Sequence, residues 1–264
     1  MGYIVFLAKR TRRRKRRWHS TRPIIHVYAT CWNEEMILPY FLRYYSKIAD
    51  KIYIYDNMSE DNSVAIIKSY PNTEVIEFDT GGENREDIKM RIRNNAWEKS
   101  RGIADWIIDV DADEFLWHPH LIHYLTECMK KGITIPVPRG FDMVSESFPK
   151  THDMIYDEVK LGVFSTWMCK YCIFNPNEIY QMNYAPGSHS ALPKGRVNMD
   201  RCNELKLLHF RYLGLDYVLK RQRSVHARIS EINRKHGWSV HYDFPEAEVI
   251  KIFHSKKEQA INVI

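Results

Sequence analysis

From Ile24 onward, short apolar runs of strand length alternate with amphipathic stretches of helical length, and this alternation most limits the folds open to the chain. A strand covered on both faces reads as a continuous apolar run. Such strands, separated by helices, form βα units around a mostly parallel sheet. The pattern predicts strands over residues 24–29, 51–55, 74–78, 105–110 and 133–137. Helices are predicted between them, ending near residues 50, 70, 100 and 131, with Pro39 in the first turn of the first. Beyond Pro138 the alternation fades to strand-like pieces at 170–174, 179–184 and 205–211 and a helical stretch from 215 to about 236.

The fourth strand runs straight into carboxylates, Asp109-Val110-Asp111-Ala112-Asp113-Glu114. If the strand continues, period-two alternation places Asp109, Asp111 and Asp113 on one face. So much negative charge at the end of a buried strand is costly unless a cation or water compensates it. The carboxyl ends of parallel strands are also where open α/β sheets bind ligands. Hard oxygen donors suit Mg²⁺ or Mn²⁺, which commonly also take oxygens from a substrate diphosphate. An exposed acidic turn without an ion is the competing reading.

Two further strand ends carry polar clusters: Thr30-Cys31-Trp32-Asn33-Glu34-Glu35 after the first, and Asp56 followed by Ser59 and Asp61 after the second. Together with Ala104-Asp105-Trp106 leading to Asp111-Ala112-Asp113-Glu114-Phe115, they resemble the family-2 glycosyltransferases of type A fold, in the branch with an Asn-Glu-Glu turn. The resemblance covers residues 24–120 and extends more thinly to about 215. It implies a single α/β nucleotide-diphospho-sugar transferase domain with a mostly parallel central sheet and helices on both faces. It also implies transfer, with inversion, from a nucleotide-diphospho-sugar, a UDP-sugar first, to a glycan or lipid-linked acceptor, with Mn²⁺ or Mg²⁺ as cofactor.

Residue by residue, the resemblance assigns Thr30 and Trp32 to framing the base, Trp32 by stacking, and Asp56 to accepting a hydrogen bond from it. Asp111 matches the carboxylate near ribose and metal, and Asp113 the principal cation ligand. Asn33 and Glu34 either contact the donor or only cap the following helix. Arg91 and Asn95, four apart on a helix, either face the donor or form a solvated face. His189 and His209 match segments of the same branch, with His209 as a histidine facing the cation and a candidate catalytic group. A core histidine with a satisfied partner is the alternative. No clean general base is legible: Asp142, Glu146, Glu178, Asp200 and Glu204 all qualify.

The formal charge of +6 is concentrated in a run of Lys and Arg at residues 9–17, which reads as a basic tail over residues 1–22. The remainder divides into a nucleotide-sugar-binding half, residues 23–140, and an acceptor-binding half of the same domain, residues 141–264. The tail with Trp18 (residues 9–18) is a candidate for peripheral contact with an anionic membrane surface, or a solubilising arm. No apolar stretch approaches about 20 residues, so the expected location is cytoplasmic, at most peripheral at the inner face of a membrane. No specific nucleic acid partner is expected, since no finger or RNA-recognition signature occurs. The non-enzymatic alternatives are a glycosyltransferase-like protein without catalysis and a basic protein that binds nucleic acid or membrane surface. Five scattered cysteines do not form a disulfide framework, and Cys169 and Cys172 read as ordinary cysteines.

Overall fold

The computed structural model describes residues 22–264, so the basic run at 9–17 and Trp18 lie outside the described residues. Among the described residues no helix is long and apolar enough to cross a membrane.

The first half follows the predicted alternation: β1 (Ile25–Cys31), α1 (Leu38–Ile48), β2 (Lys51–Asp56), α2 (Ser63–Lys68), β3 (Thr73–Glu77), α3 (Glu86–Asn95) and β4 (Trp106–Asp111). The four strands pair in parallel in the order β3-β2-β1-β4. Alternation along β1 supplies two cores. Val27 and Ala29 pack with the α1 face Leu38, Phe41, Leu42 and Tyr45, spaced i, i+3, i+4, i+7 as a helix seam requires. Tyr28 turns to the other side, with Trp97 and Ile107. The chain is therefore an α/β protein whose central sheet is mostly parallel and covered on both faces.

The second half departs from the pattern. After β5 (Glu114–Trp117) and α4 (Leu121–Lys130), the predicted short strand at 133–137 is an eleven-residue strand, β6 (Ile135–Ser145). It is followed by α5 (Ile155–Glu158), β7 (Leu161–Phe164), β8 (Ile173–Phe174), β9 (Ile179–Gln181), β10 (Lys194–Gly195) and the fifteen-residue β11 (Met199–Leu213). The predicted final helix is two helices, α6 (Leu215–His226) and α7 (Glu231–His236), because Ser230 caps a new N-terminus by accepting the Asn233 amide at 3.2 Å. Helix α8 (Glu246–Gln259) and β12 (Ile261–Asn262) complete the chain.

β8 joins the first sheet antiparallel to β4, and a second five-stranded sheet has the order β12-β7-β6-β11-β5. The two halves thus interlock: β5 and β6 contribute to the second sheet, and β8 returns to the first. Strand β4 does not continue through the acidic segment. It ends at Asp111, Ala112 and Asp113 turn, and β5 starts in the other sheet at Glu114. Asp113 stands on that turn between the sheets, opposite β11.

Candidate active site

A cleft of about 840 Å³ opens at the carboxyl ends of β1 and β4 and is closed from the other side by β6, β11, α6 and the segment after α7. As many Lys and Arg side chains as carboxylates line it. This answers the electrostatic question raised by the sequence: the acidic cluster is compensated largely by the protein's own cations.

Asp111 is held by Arg93, and its other oxygen lies 3.5 Å from Lys170 Nζ. Burial alone would raise its pKa, but Arg93 and Lys170 outweigh burial and hold the carboxyl well below the usual range. Arg93 also lies 3.2 Å from Asp109, whose pKa is pushed up to about 7 by burial in spite of Arg93. Lys170, 3% exposed, donates to Glu114, which is 1% exposed. The lysine remains charged because Glu114 and Asp111 outweigh its desolvation.

Asp113 is ion-paired from two sides. Its Oδ2 lies 3.5 Å from His209 Nε2 and 3.4 Å from Arg221 Nη2. Arg221 also grips Glu34 with bonds of 2.6 and 2.7 Å, so one guanidinium joins the first strand end to the acidic turn. His209 bonds Asp142 Oδ1 at 2.9 Å through Nδ1, and Asp142 accepts from Lys256 at 2.6 Å. Burial opposes the imidazolium, yet Asp113 and Asp142 push the His209 pKa up to about 10. His209 is therefore protonated at neutral pH and is a donor there, not a base.

The predicted residues divide by location. Thr30, Trp32, Asn33, Glu34, Asp111, Asp113, His189 and His209 line the cleft. Asn33 and Glu34 are structural as well. Asn33 sits at φ 51°, where asparagine is tolerated, and accepts the Glu60 amide at 2.8 Å. The Glu34 carbonyl accepts the Ile37 and Leu38 amides. Trp32 is partly covered: the Arg228 guanidinium lies 3.4 Å from its ring centroid and is anchored by a 2.6 Å bond to Gly82 O.

Asp56 does not line the cleft. It is 1% exposed and receives the Ser59 amide at 2.9 Å and the Ser59 hydroxyl at 2.6 Å, contacts that shape the turn after β2. Arg91 and Asn95 are exposed and bonded to each other through the Arg91 carbonyl. The inward face of α3 carries Glu86, Lys89, Met90 and Arg93 instead. Arg91 and Asn95 therefore share the solvated face of the helix, the second of the two readings open for them. Of the five second-half carboxylates, Asp142 lines the cleft and the others do not. Both Asp142 oxygens are engaged, so its work in this arrangement is to hold His209.

Sequence reading missed Arg93, Lys170, Arg221 and Lys256. Lys170 carried a faint signal, a charged residue between two cysteines in an apolar run. The others lie on helices of mixed charge, where nothing local separates an inward cation from a solvated one. All five cysteines are free.

The metal assignment fits two of its three residues. Asp113 Oδ2 and His209 Nε2, 3.5 Å apart, are near the ~3 Å separation of adjacent ligands in an octahedral site with bonds of about 2.1 Å. Asp142 behind the distal nitrogen supplies the carboxylate that orients ligating histidines. Asp111 is not brought to them, since Arg93 and Lys170 take its oxygens.

No family model matches the chain, and no curated protein matches it in sequence. Solved structures with a similar chain path include S. aureus TarS 1–349, 12% identical, covering 85% of this chain and 68% of that one at a TM-score of 0.47. The same TarS fragment in complex with UDP-GlcNAc is 11% identical, covering 85% and 69% at 0.46. Another is glucosyl-3-phosphoglycerate synthase from Mycobacterium tuberculosis in complex with Mn²⁺, UDP and glucosyl-3-phosphoglycerate. It is 16% identical at a TM-score of 0.32, and the match covers 46% of this chain and 44% of the synthase.

Proposed function

We propose that this chain is a glycosyltransferase that moves a sugar from a nucleotide-diphospho-sugar, a UDP-sugar first, to a glycan or lipid-linked acceptor, with inversion and with Mn²⁺ or Mg²⁺. The observation that carries this reading is the Asp113–His209–Asp142 relay, set at the mouth of a parallel sheet and flanked by Arg221 and Lys170. Nucleotide diphosphates bring negative charge, and the cleft offsets its own carboxylates with fixed cations, Arg93, Lys170 and Arg221, so that a bound divalent cation is left to meet the diphosphate.

Asp113 and His209 would hold the divalent cation, which when bound supplies further positive charge for the leaving diphosphate. His209 must then give up its Nε2 proton, while Asp142 keeps Nδ1–H and the ring orientation. Asp111, steadied by Arg93 and Lys170, presents a partly exposed carboxylate to donor hydroxyls. Arg221 lies between Glu34 and Asp113 and draws both carboxyls toward the ionised form. Thr30 and Trp32 would flank the base, and Arg228 must move if the base takes the Trp32 face that it covers.

Calorimetric titration with UDP and Mn²⁺ tests the assignment through Asp113→Ala. The variant is expected to keep the far-ultraviolet circular dichroism of the parent and to lose cation-dependent binding. Metal-dependent UDP affinity equal to the parent's would remove Asp113 from the site.

A further inference from the structure

Trp167 is 70% exposed, although it lines the cleft and belongs to a segment that is otherwise fixed. The segment is a single turn of 3₁₀ helix, Thr166–Met168. Ser165 donates its amide to Gly140 O at 2.9 Å, and Met168 behind the indole is 3% exposed. Gly140 shows how tightly the turn lies on β6, because a Cβ there would stand 2.2 Å from the Met168 carbonyl carbon. Two residues beyond the turn, Lys170 is buried between Asp111 and Glu114. The indole is thus held out over the cleft by a clamped support, and a large apolar side chain is left to water at the mouth of the site.

His189 stands against it. Its ring meets the indole edge-on, with centroids 5.3 Å apart and planes at 88°, and its Nδ1 bonds the Trp167 carbonyl at 2.9 Å. A carbonyl only accepts, so Nδ1 carries the hydrogen and Nε2 of the neutral ring is an acceptor. An apolar aromatic face beside an acceptor suits one class of ligand. The C–H face of a pyranose covers an indole, and its hydroxyls, which are donors, satisfy the neighbouring nitrogen. The nearby cation, Lys170, is committed to carboxylates, so the pair offers little to an anionic group.

We propose that Trp167 and His189 form the acceptor subsite of the cleft and bind an uncharged pyranose ring by stacking on the indole and hydrogen bonding to His189 Nε2. This rests on reading the cleft as a sugar-transfer site. It moves His189 from the donor to the acceptor side.

The test uses ¹⁵N-indole NMR on the full chain, whose seven tryptophans give separate side-chain signals. Trp167→Phe identifies the Trp167 resonance by its disappearance. Methyl β-glucopyranoside, methyl β-galactopyranoside and methyl N-acetyl-β-glucosaminide are titrated to high millimolar concentration, with glycerol as the ringless polyol control and UDP with Mg²⁺ as the donor probe. At least one pyranoside is expected to shift the Trp167 signal saturably, while glycerol does not. Trp167→Ala is expected to weaken that pyranoside's binding about tenfold, followed on the remaining signals, and Trp167→Phe to restore most of it. His189→Ala should weaken it roughly fivefold. UDP should shift other indoles in parent and variants alike, which also shows that the variants are folded. If UDP shifts the spectrum and no pyranoside moves Trp167 beyond the glycerol control, the subsite is overturned while the donor reading stands. If UDP moves nothing, the donor reading fails, and the pyranoside titration still decides the subsite.

Discussion

Replacing Arg221 by Met removes the guanidinium that Glu34 and Asp113 share and leaves two carboxylates, with side chains 11% and 4% exposed, facing each other across the cleft floor. Removing one partner of a buried ion pair costs about 3–5 kcal/mol, chiefly because the remaining charge is stranded. For a chain of this length that corresponds to a fall in melting temperature of roughly 6–20 °C, or more than about 1 M in the urea midpoint. The loss should depend on pH with a definite sign. The Glu34 pKa is already above the ordinary carboxylate range, because burial raises it more than Arg221 lowers it. Without Arg221 it rises further. A carboxyl whose folded pKa exceeds its unfolded value contributes stability that is full below the unfolded pKa and is lost as pH rises through the folded one. The deficit of the variant against the parent should therefore be smaller near pH 5 than near pH 8. Glu34→Gln in the Arg221→Met background should recover ~1–3 kcal/mol at the higher pH, since it removes one stranded charge. Urea unfolding at both pH values measures all of this. A deficit under ~1 kcal/mol, or one equal at the two pH values, would refute the claim that Arg221 neutralises buried charge.

His209, with its pKa pushed up from 6.5 to about 10, contributes stability that is fully present below about pH 6.5 and lost as pH rises through about 10. Urea midpoints of the parent should fall across that window more steeply than those of His209→Gln, and parallel curves would contradict the Asp113–His209–Asp142 geometry. Gly140→Ala should destabilise the chain by about 1–3 kcal/mol or more, because the new Cβ meets the Met168 backbone. A melting temperature within about 1 °C of the parent would show that the turn yields. Arg228→Ala frees the Trp32 ring of a cation–π contact worth ~0.5–2 kcal/mol, so UDP should bind roughly two- to thirtyfold more tightly if the base stacks there. Unchanged or weaker calorimetric affinity would place the base elsewhere.

The first half was legible because β1 and β4 are buried strands, whose apolar runs are their own signature, β2 alternates buried and partly buried residues, and α1 carries a clean apolar seam. The second half was not. The first part of β11 is Met199-Asp200-Arg201-Cys202-Asn203-Glu204, mostly exposed and without an apolar run, so only its buried end from Leu205 was visible. α8 buries Val249 and Phe253 among many charges, too narrow a face to mark a helix by pattern. In the site, the sequence located the acidic turn, Glu34 and His209 because they stand at strand ends or in apolar runs. It could not show that Arg221, distant in sequence, would reach Glu34 and Asp113, or that Asp142 would sit behind His209. Pairing of charges is a property of the folded chain. The inward face of α3 was hidden for a related reason: the inward residue Arg93 looks no different in sequence from the exposed Arg91.

A cation-assisted nucleotide-diphosphate site at Asp113 and His209 is read out by a thermal-shift panel of UDP, GDP, CDP and dTDP with and without Mn²⁺. At about a hundredfold excess over its dissociation constant, a ligand adds ~2.7 kcal/mol, or roughly 5–10 °C for a chain of this size. A shift of that order is expected with UDP only when Mn²⁺ is present, and none in Asp113→Ala. Absence of any shift with all four nucleotides in folded protein, or a UDP shift indifferent to both metal and Asp113, would contradict it.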